Sequence, residues 1–115
     1  MPVEEFKGLE NFKETIARDE YSIFDFWATW CAPCRIMGPI YDKLSDQHPN
    51  VKFYKVDTDA EEAIVAEVGV RNIPSFIMYK NGEQVGSVLG PRRAQLQELV
   101  AKAADTTPEV PLPAS

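Results

Sequence analysis

The sequence contains few residues that could hold a metal ion or build a disulfide scaffold. Among its 115 residues are two cysteines, Cys31 and Cys34, and one histidine, His48. A structural zinc site usually takes four Cys or His ligands, and no second cysteine pair is present to complete one. A disulfide that closes so short a loop removes little entropy from the unfolded chain. The sequence therefore predicts no metal ion, and it favours a chemical role for the two cysteines.

Basic residues are also scarce. The chain has 12 Lys and Arg against 18 Asp and Glu, with a net charge of -6. Nucleic acid and anionic lipid attract basic patches, so we expect neither as a partner. No positively charged segment followed by an apolar stretch opens the chain, and neither a secretory signal nor a membrane span is predicted. We expect a cytoplasmic monomer.

Length and composition fit one globular domain followed by a short tail. With 44% hydrophobic residues, the chain can bury a core without disulfide staples. From Asp105 onward, Pro108, Pro111 and Pro113 interrupt any helical or strand periodicity. We therefore predict a domain over residues 1–104 and a disordered, proline-rich tail over residues 105–115.

Five segments have the pattern of β-strands. A β-branched and aromatic run from Tyr21 to Trp27 is typical of a central strand covered on both faces. Asn81-Gly82 between two apolar runs is a strong hairpin signal, which predicts that the last two strands are antiparallel. The predicted strands are Val3 to Phe6 at an edge, Tyr21 to Trp27, Val51 to Val56, Phe76 to Tyr79 and Val85 to Leu89.

Four segments between and after these strands have helical spacing. Asp59 followed three residues later by Glu62 resembles a capping box, Gly69 closes that helix, and Pro91 fits the first position of the last helix. The apolar positions that mark the other helix faces are Leu9, Phe12 and Ile16; Ile36, Met37, Ile40 and Leu44; and Leu96, Leu99, Val100 and Ala103. This order of elements predicts an α/β sandwich with a mixed central sheet and helices on both faces.

The most informative motif is Trp30-Cys31-Ala32-Pro33-Cys34-Arg35, where the apolar strand gives way to a helix. Unpaired backbone N–H groups at a helix start lower the pKa of an adjacent thiol, and Cys31 has that position. Only a thiolate attacks disulfides, and Cys34, one turn later, is near enough to displace the first product. The motif predicts a reversible dithiol/disulfide pair, with Cys31 as the nucleophile and Cys34 as the resolving thiol.

Asp25 is a carboxylate within an apolar strand, where it faces a desolvation penalty. Strand alternation places Asp25 on the same face as Ile23 and Trp27, close enough to Cys31 to reach beneath the helix start. Burial should raise its pKa towards neutrality, which would make Asp25 a proton acceptor for Cys34, directly or through one water. The structural alternative is an Asp that caps a turn or faces solvent.

Together these residues resemble the thioredoxin family over residues 3–104. The matching positions are Asp25-Phe26-Trp27-Ala28-x-Trp30-Cys31-x-Pro33-Cys34, Pro39, Asp57, Ile73-Pro74, Asn81-Gly82 and Gly90. A lone Cys-x-x-Cys is weak evidence, whereas this ordered set at family spacing is specific. The resemblance implies the thioredoxin-like three-layer sandwich and a protein-disulfide reductase.

The resemblance also implies a substrate-docking surface and partners. The docking residues would be Trp30, Pro33, Ile73, Pro74 and Gly90. A cis peptide bond before Pro74 would let the backbone beside Ile73 pair with an extended substrate segment. The Cys31–Cys34 disulfide would be the redox-active group, with no bound cofactor. A thioredoxin reductase, usually an NADPH-dependent flavoenzyme, would reduce it, and disulfide-containing proteins would be its substrates.

Some positions depart from the family pattern. Ala32 replaces the commonest glycine and Arg35 the usual lysine. Phe53 stands where bacterial thioredoxins often carry a lysine near the buried carboxylate, and Lys55, on the same face, is the expected substitute. Gly90-Pro91 departs from the usual entry to the last helix, which bears on partner preference more than on catalysis.

The residue before the second cysteine bears on the direction of electron flow. Oxidants and isomerases of this fold usually have His there, which stabilises the reduced thiolate, whereas this chain has Pro33. We therefore predict a reductant that serves electron transport and cell redox homeostasis. Two alternatives stay open: an extracytoplasmic thiol reductant of the same fold, and a redox-dependent binding subunit or chaperone.

Overall fold

The computed structural model describes residues 3–106, and within this range the chain forms five strands and four helices. In chain order they are β1 (Val3–Glu5), α1 (Leu9–Ile16), β2 (Ser22–Trp27), α2 (Ala32–Gln47), β3 (Lys52–Asp57), α3 (Glu62–Val68), β4 (Ser75–Lys80), β5 (Glu83–Leu89) and α4 (Arg93–Thr106). Each predicted segment coincides with one of these elements.

The strands of residues 3–106 form one mixed sheet in the order β1-β3-β2-β4-β5. β3 pairs in parallel with β1 and β2, whereas β4 pairs antiparallel with β2 and β5. The predicted mixed sheet is confirmed, with β2 at its centre and β1 at an edge. This order places the end of β2, and the loop that follows it, in the middle of the molecule.

Side-chain alternation along β2 divides the core into two layers. Ile23 packs with residues of α2 and α4, including Met37, Tyr41, Leu96 and Val100. On the opposite face, side chains of β2 pack with those of α1 and α3; this second layer includes Phe24, Phe26, Phe12 and Ile64. The three-layer sandwich is therefore confirmed, and Asp25 lies on the face of the sheet that α2 and α4 cover.

The β4–β5 hairpin turns through two residues with positive φ. Asn81 has φ 56° and Gly82 has φ 83°, the combination that a two-residue type I′ turn needs. The strands on either side pair antiparallel, from Ser75↔Leu89 to Lys80↔Glu83. The hairpin predicted from Asn81-Gly82 is confirmed.

The capping box predicted at Asp59 is wrong. α3 begins at Glu62, and its N-cap is Glu61, whose side chain makes no capping hydrogen bond. The physical reason is an extra turn after β3: the N–H of Glu61 donates to the carbonyl of Asp57, and Asp57 Oδ1 accepts from the N–H of Asp59. This turn moves the helix start two residues further along the chain.

The boundaries predicted for the last helix also differ from those observed. The N–H of Arg92 donates to the carbonyl of Gly90 in a tight turn, so α4 starts at Arg93 and Pro91 is not in its first position. At the other end, α4 continues through Asp105 to Thr106, two residues that were assigned to the tail. The rest of the predicted tail, residues 107–115, lies outside the described residues.

Candidate active site

The two cysteines lie at the start of α2, which a short loop connects to the end of β2. Cys31 is the N-cap of α2, and its Sγ accepts a hydrogen bond of 3.2 Å from the N–H of Cys34. The pair forms a disulfide with a Cα–Cα distance of 5.2 Å. Pro33 lies in the first turn, where its missing N–H costs no helical hydrogen bond. The sulfur of Cys31 thus lies at the positive end of the helix dipole, which favours a thiolate after reduction.

The disulfide is largely covered by its neighbours. Cys31 exposes 4% and Cys34 5% of their surfaces, and with Ala28 they form a buried cluster against which Trp27 and Ile73 pack. A reacting sulfur can therefore reach the disulfide only at the small part of its surface that is exposed. Only a partner whose surface fits the surroundings of Cys31 can bring its own disulfide that close.

Trp30 forms an exposed aromatic surface next to Cys31. The side chain is 66% exposed, and its Nε1–H donates to Asp59 Oδ2 at 3.0 Å. From the first turn of α2, Arg35 Nη1 donates to the carbonyl of Thr29 on the same loop at 2.9 Å. These two hydrogen bonds fix the loop that carries Trp30, so the indole is exposed in a defined position.

The remaining docking residues come together through one backbone hydrogen bond. The Ile73–Pro74 peptide bond is cis, and the carbonyl of Pro74 accepts from the N–H of Gly90 at 2.8 Å. Gly90 has φ 94°, a conformation that glycine adopts far more readily than other residues. Ile73 packs against the disulfide, whereas Pro74 is buried and presents little surface of its own.

The backbone of Ile73 is available for pairing. Among the turn and loop hydrogen bonds of residues 3–106, none uses the N–H or the carbonyl of Ile73. Unpaired backbone groups beside a reactive site can bind an extended segment of a partner.

Asp25 lies beneath the start of α2 as a buried carboxyl group. Its exposed fraction is 5%, and Oδ1 has no hydrogen-bonding partner among the described residues. Burial raises the pKa of Asp25 from 3.8 to about 7, with a smaller contribution in the same direction from Asp42 and an opposing one from Lys55. A carboxyl group with a pKa near neutrality can both accept and release a proton at physiological pH.

Asp25 and Cys34 share a cleft of about 160 Å³. Its other lining residues are Trp27, Arg35, Gly38, Tyr41, Asp42 and Lys55. The Nζ of Lys55 lies 5.3 Å from the centroid of the Trp27 ring, which places its charge over the aromatic face. Lys55 therefore lies near Asp25, as expected of the residue that substitutes for a lysine at position 53.

Tyr41 is a buried residue of this site that the sequence interpretation missed. Its hydroxyl group lies 2.7 Å from the carbonyl of Tyr54 and 3.0 Å from that of Ile23, so it ties α2 to β3 and β2. Complete burial raises the pKa of Tyr41 well above its ordinary value, and the negative charge of Asp25 adds to this effect. Position 41 is four residues after Met37 and three before Leu44. This helical spacing could have identified Tyr41 as a buried residue.

Ile36 was assigned to the apolar face of the same helix, and that assignment is wrong. The side chain is 67% exposed, whereas Met37 and Leu44 are buried. The physical reason is the helical rotation of about 100° per residue: once Met37, Tyr41 and Leu44 face the sheet, Ile36 lies at the solvent edge.

Two further observations concern metal sites and membrane spans. Across residues 3–106, no group of three or more His, Cys, Asp or Glu side chains is placed to hold a metal ion. In the same part of the chain, no helix is both long enough and apolar enough to cross a membrane.

Comparison with known proteins gives consistent matches over this region. The sequence model of the Thioredoxin family matches residues 5–102. A thioredoxin of Malassezia sympodialis is 38% identical over 102 residues, which cover 87% of this chain and 97% of that protein. An H-type thioredoxin of Picea mariana is 40% identical over 104 residues, covering 89% of this chain and 83% of that protein. The crystal structure of the Malassezia sympodialis thioredoxin superposes with a TM-score of 0.86 and covers 90% of this chain and 95% of that one.

Proposed function

This chain belongs to the thioredoxin family, and we propose that three residues divide the work of its reaction: Cys31 attacks, Cys34 resolves, and Asp25 accepts a proton. The protein is a thiol-disulfide oxidoreductase that reduces protein disulfides through the Cys31–Cys34 pair. The observation that carries the proposed roles is the position of this pair at the N-terminus of α2, where Cys34 lines the same cleft as the buried carboxyl group of Asp25.

The first step is attack by the Cys31 thiolate on one sulfur of the substrate disulfide. A bond forms between Cys31 Sγ and that sulfur, the substrate S–S bond breaks, and the other substrate sulfur leaves as a thiolate that takes a proton from water. Backbone N–H groups at the start of α2 stabilise the attacking anion, since Cys31 is the N-cap. The product of this step is a mixed disulfide.

The second step releases the reduced substrate. Cys34 loses its thiol proton to the carboxylate of Asp25, and the resulting thiolate attacks Cys31 Sγ. The mixed disulfide breaks, the second substrate thiolate leaves, and the Cys31–Cys34 disulfide forms. The dithiol has then given two electrons to the substrate.

The docking surface consists of Trp30, Pro33, Ile73 and Gly90, shaped from beneath by Pro74. Trp30 and Pro33 are exposed beside Cys31, and the free backbone groups of Ile73 offer hydrogen bonds to an extended segment. Apolar contacts and backbone pairing together suit a range of protein substrates, because neither depends on one particular substrate side chain.

The reduced pair must be regenerated by an electron donor. A thioredoxin reductase that uses NADPH and flavin fits this role, and we place the cycle in the cytoplasm, in electron transport and redox homeostasis. The support is chemical: Pro33 rather than a histidine precedes Cys34, and both cysteines of the chain belong to the redox motif.

The test is an insulin reduction assay with dithiothreitol as the electron source. We expect the unmodified protein to accelerate insulin reduction and Cys31→Ser to remove that acceleration. The matched control is Ser45→Ala, since Ser45 lies on the same helix and does not line the cleft. Equal rates with the unmodified protein and Cys31→Ser would contradict the assigned nucleophile.

A further inference from the structure

A groove of about 270 Å³ lies between α2 and α4. Ile40 and Leu44 line it from α2, Arg93 and Gln97 line it from α4, and none of its residues lines the cleft that contains Asp25. Small-molecule sites commonly measure about 300–1,000 Å³, so this volume suits protein side chains better than a separate ligand. The groove is therefore a candidate for contact with a partner protein.

Both walls of the groove lead from residues of the docking surface. On α2, Pro33, Ile36 and Ile40 follow one another at intervals of three and four residues, so they lie on one face of the helix. On the other wall, Arg93 begins α4 three residues after Gly90. The groove thus continues the docking surface away from the disulfide.

Ile36 is the exposed apolar residue on this route. A single exposed apolar side chain is common on protein surfaces and by itself indicates nothing. Ile36, however, is 67% exposed and lies between Pro33, which is also exposed, and Ile40, which is half-buried in the wall of the groove. A partner that crosses from the docking surface into the groove covers this apolar surface, which favours binding.

Lys43 and Arg93 give the groove a positive charge in a chain whose net charge is -6. No carboxylate is among the lining residues, and neither cation forms an ion pair with any other residue of the range 3–106. The other polar lining residues, Gln47 and Gln97, have amide groups that can donate hydrogen bonds. This set of donors is complementary to carboxylates.

We propose that the groove binds an acidic extension of the substrate, with an apolar side chain on Ile36 and a carboxylate between Lys43 and Arg93. The inference rests on the proposed function, because attack by Cys31 on the substrate disulfide is what brings this segment to α2. From Cys31 to Lys43 the helix rises about 18 Å, which an extended chain spans in about five or six residues. The favoured carboxylate is therefore about five or six residues from the substrate cysteine.

The first experiment compares three disulfide-linked peptides that share one cysteine and the same apolar neighbours. Two carry Glu about five and six residues from the cysteine, on its N-terminal side in one peptide and on its C-terminal side in the other, and the third carries Gln at all these positions. We expect one Glu peptide to exceed the Gln peptide about threefold to tenfold in kcat/KM, and the advantage to shrink at high salt. Equal kcat/KM for the three peptides would overturn the proposal.

The second experiment reverses the charges of the groove. Lys43→Glu combined with Arg93→Glu should make the Gln peptide the better substrate, because carboxylates then face carboxylates. The matched control is Lys52→Glu combined with Lys102→Glu, which changes the net charge equally at exposed positions outside the groove. If the control loses the preference for Glu as well, the overall charge is the cause and the groove is not.

The third experiment observes the occupant directly. In Cys34→Ser the mixed disulfide with the favoured Glu peptide cannot be resolved, and its NMR spectrum should show contacts between the peptide and the methyl groups of Ile36 and Ile40. Absence of these contacts would contradict the proposal. Contacts of the same methyl groups with residues 107–115 or with a second copy of the chain, before any peptide is added, would contradict it too, since another occupant would then fill the groove.

The outcomes separate this inference from the proposed function. If the unmodified protein reduces the three peptides equally and Cys31→Ser reduces none of them, the groove is wrong and the proposed function stands. If the unmodified protein reduces neither the peptides nor insulin, the proposed function fails and the groove fails with it. A preference for Glu that is reversed only when Lys43 and Arg93 are replaced supports the groove.

Discussion

Asp25 and Lys55 are register partners in the parallel pairing of β2 and β3, and both line the cleft that contains Cys34. A cation beside a buried carboxyl group favours the carboxylate, whereas burial and Asp42 favour the neutral acid. Burial is the largest contribution, so the pKa of Asp25 settles at about 7. This balance lets one residue accept a proton and release it near neutral pH.

We expect Asp25→Asn to slow release of the mixed disulfide by 100-fold or more, on the order of a full general-base contribution, and to change its formation far less. In the unmodified protein, release should accelerate as pH rises through about 7, because only ionised Asp25 accepts the proton from Cys34. Rapid-mixing kinetics with a fluorescent disulfide peptide separate the two steps. Equal slowing of both steps would argue against Asp25 as the base.

Asp25 also makes stability depend on pH. Its pKa is raised on folding from 3.8 to about 7, which means that the folded state favours the protonated carboxyl group. This preference contributes fully to the free energy of unfolding below about pH 3.8, and the contribution is lost as pH rises to about 7. At about 1.4 kcal/mol per pKa unit, the loss is on the order of 4 kcal/mol. Denaturant unfolding should therefore show Asp25→Asn gaining stability over the unmodified protein between acid and neutral pH. Asp46→Asn, an exposed change on α2, should show no such pH-dependent gain.

Removal of the Lys55 charge should shift the titration of Asp25. We expect Lys55→Met to raise the pKa of Asp25 further, because the attraction that favours the carboxylate is lost. Carbon NMR of the labelled carboxyl group measures this directly, and the pH midpoint of mixed-disulfide release should move with it. Lys52→Met on the same strand is the control, since Lys52 is exposed and pairs with Ser22 instead. An unchanged midpoint in Lys55→Met would mean that Lys55 does not act on Asp25.

The hydrogen bond from Trp30 to Asp59 should matter for protein substrates and not for small disulfides. We expect Asp59→Ala to raise KM for a protein disulfide several-fold, about the effect of losing a 1 kcal/mol hydrogen bond that orients the indole. Asp59→Asn should restore most of the affinity, because its amide oxygen can still accept from Trp30 Nε1. A small aromatic disulfide should react equally with all three proteins. If Asp59→Asn behaves like Asp59→Ala, orientation of Trp30 is not the cause.

Much of the fold was predictable because local signals agreed with one another. The apolar run around Phe24 predicted the central strand, and Asn81-Gly82 predicted the hairpin, since both depend on residues that are near in sequence. The cap of α3 was not predictable from spacing alone. Asp59 is a residue type that is common at N-caps. Its carboxylate instead accepts a hydrogen bond from Trp30 Nε1, 29 positions earlier in the chain.

The site shows the same contrast between residues that are recognisable from their local sequence and residues whose role depends on the fold. Cys31, Cys34 and Asp25 stood out because each is chemically unusual for its position. Gly38 and Tyr41 did not, since a helical glycine and an aromatic residue carry no chemical signal until the fold places them around Asp25. Lys55 was expected near Asp25 from the face of its strand, whereas its direct pairing with Asp25 needed the β2–β3 register, which the sequence leaves open.

The most direct measurement is the ionisation of Cys31 in the reduced Cys34→Ser variant, followed by thiolate absorbance and by the pH dependence of alkylation. We expect Cys31 to lose its proton below the ordinary cysteine value of about 8.5, and to be alkylated before Cys34 in the unmodified reduced protein. Ionisation at or above that value, or faster alkylation of Cys34, would contradict Cys31 as the attacking thiolate.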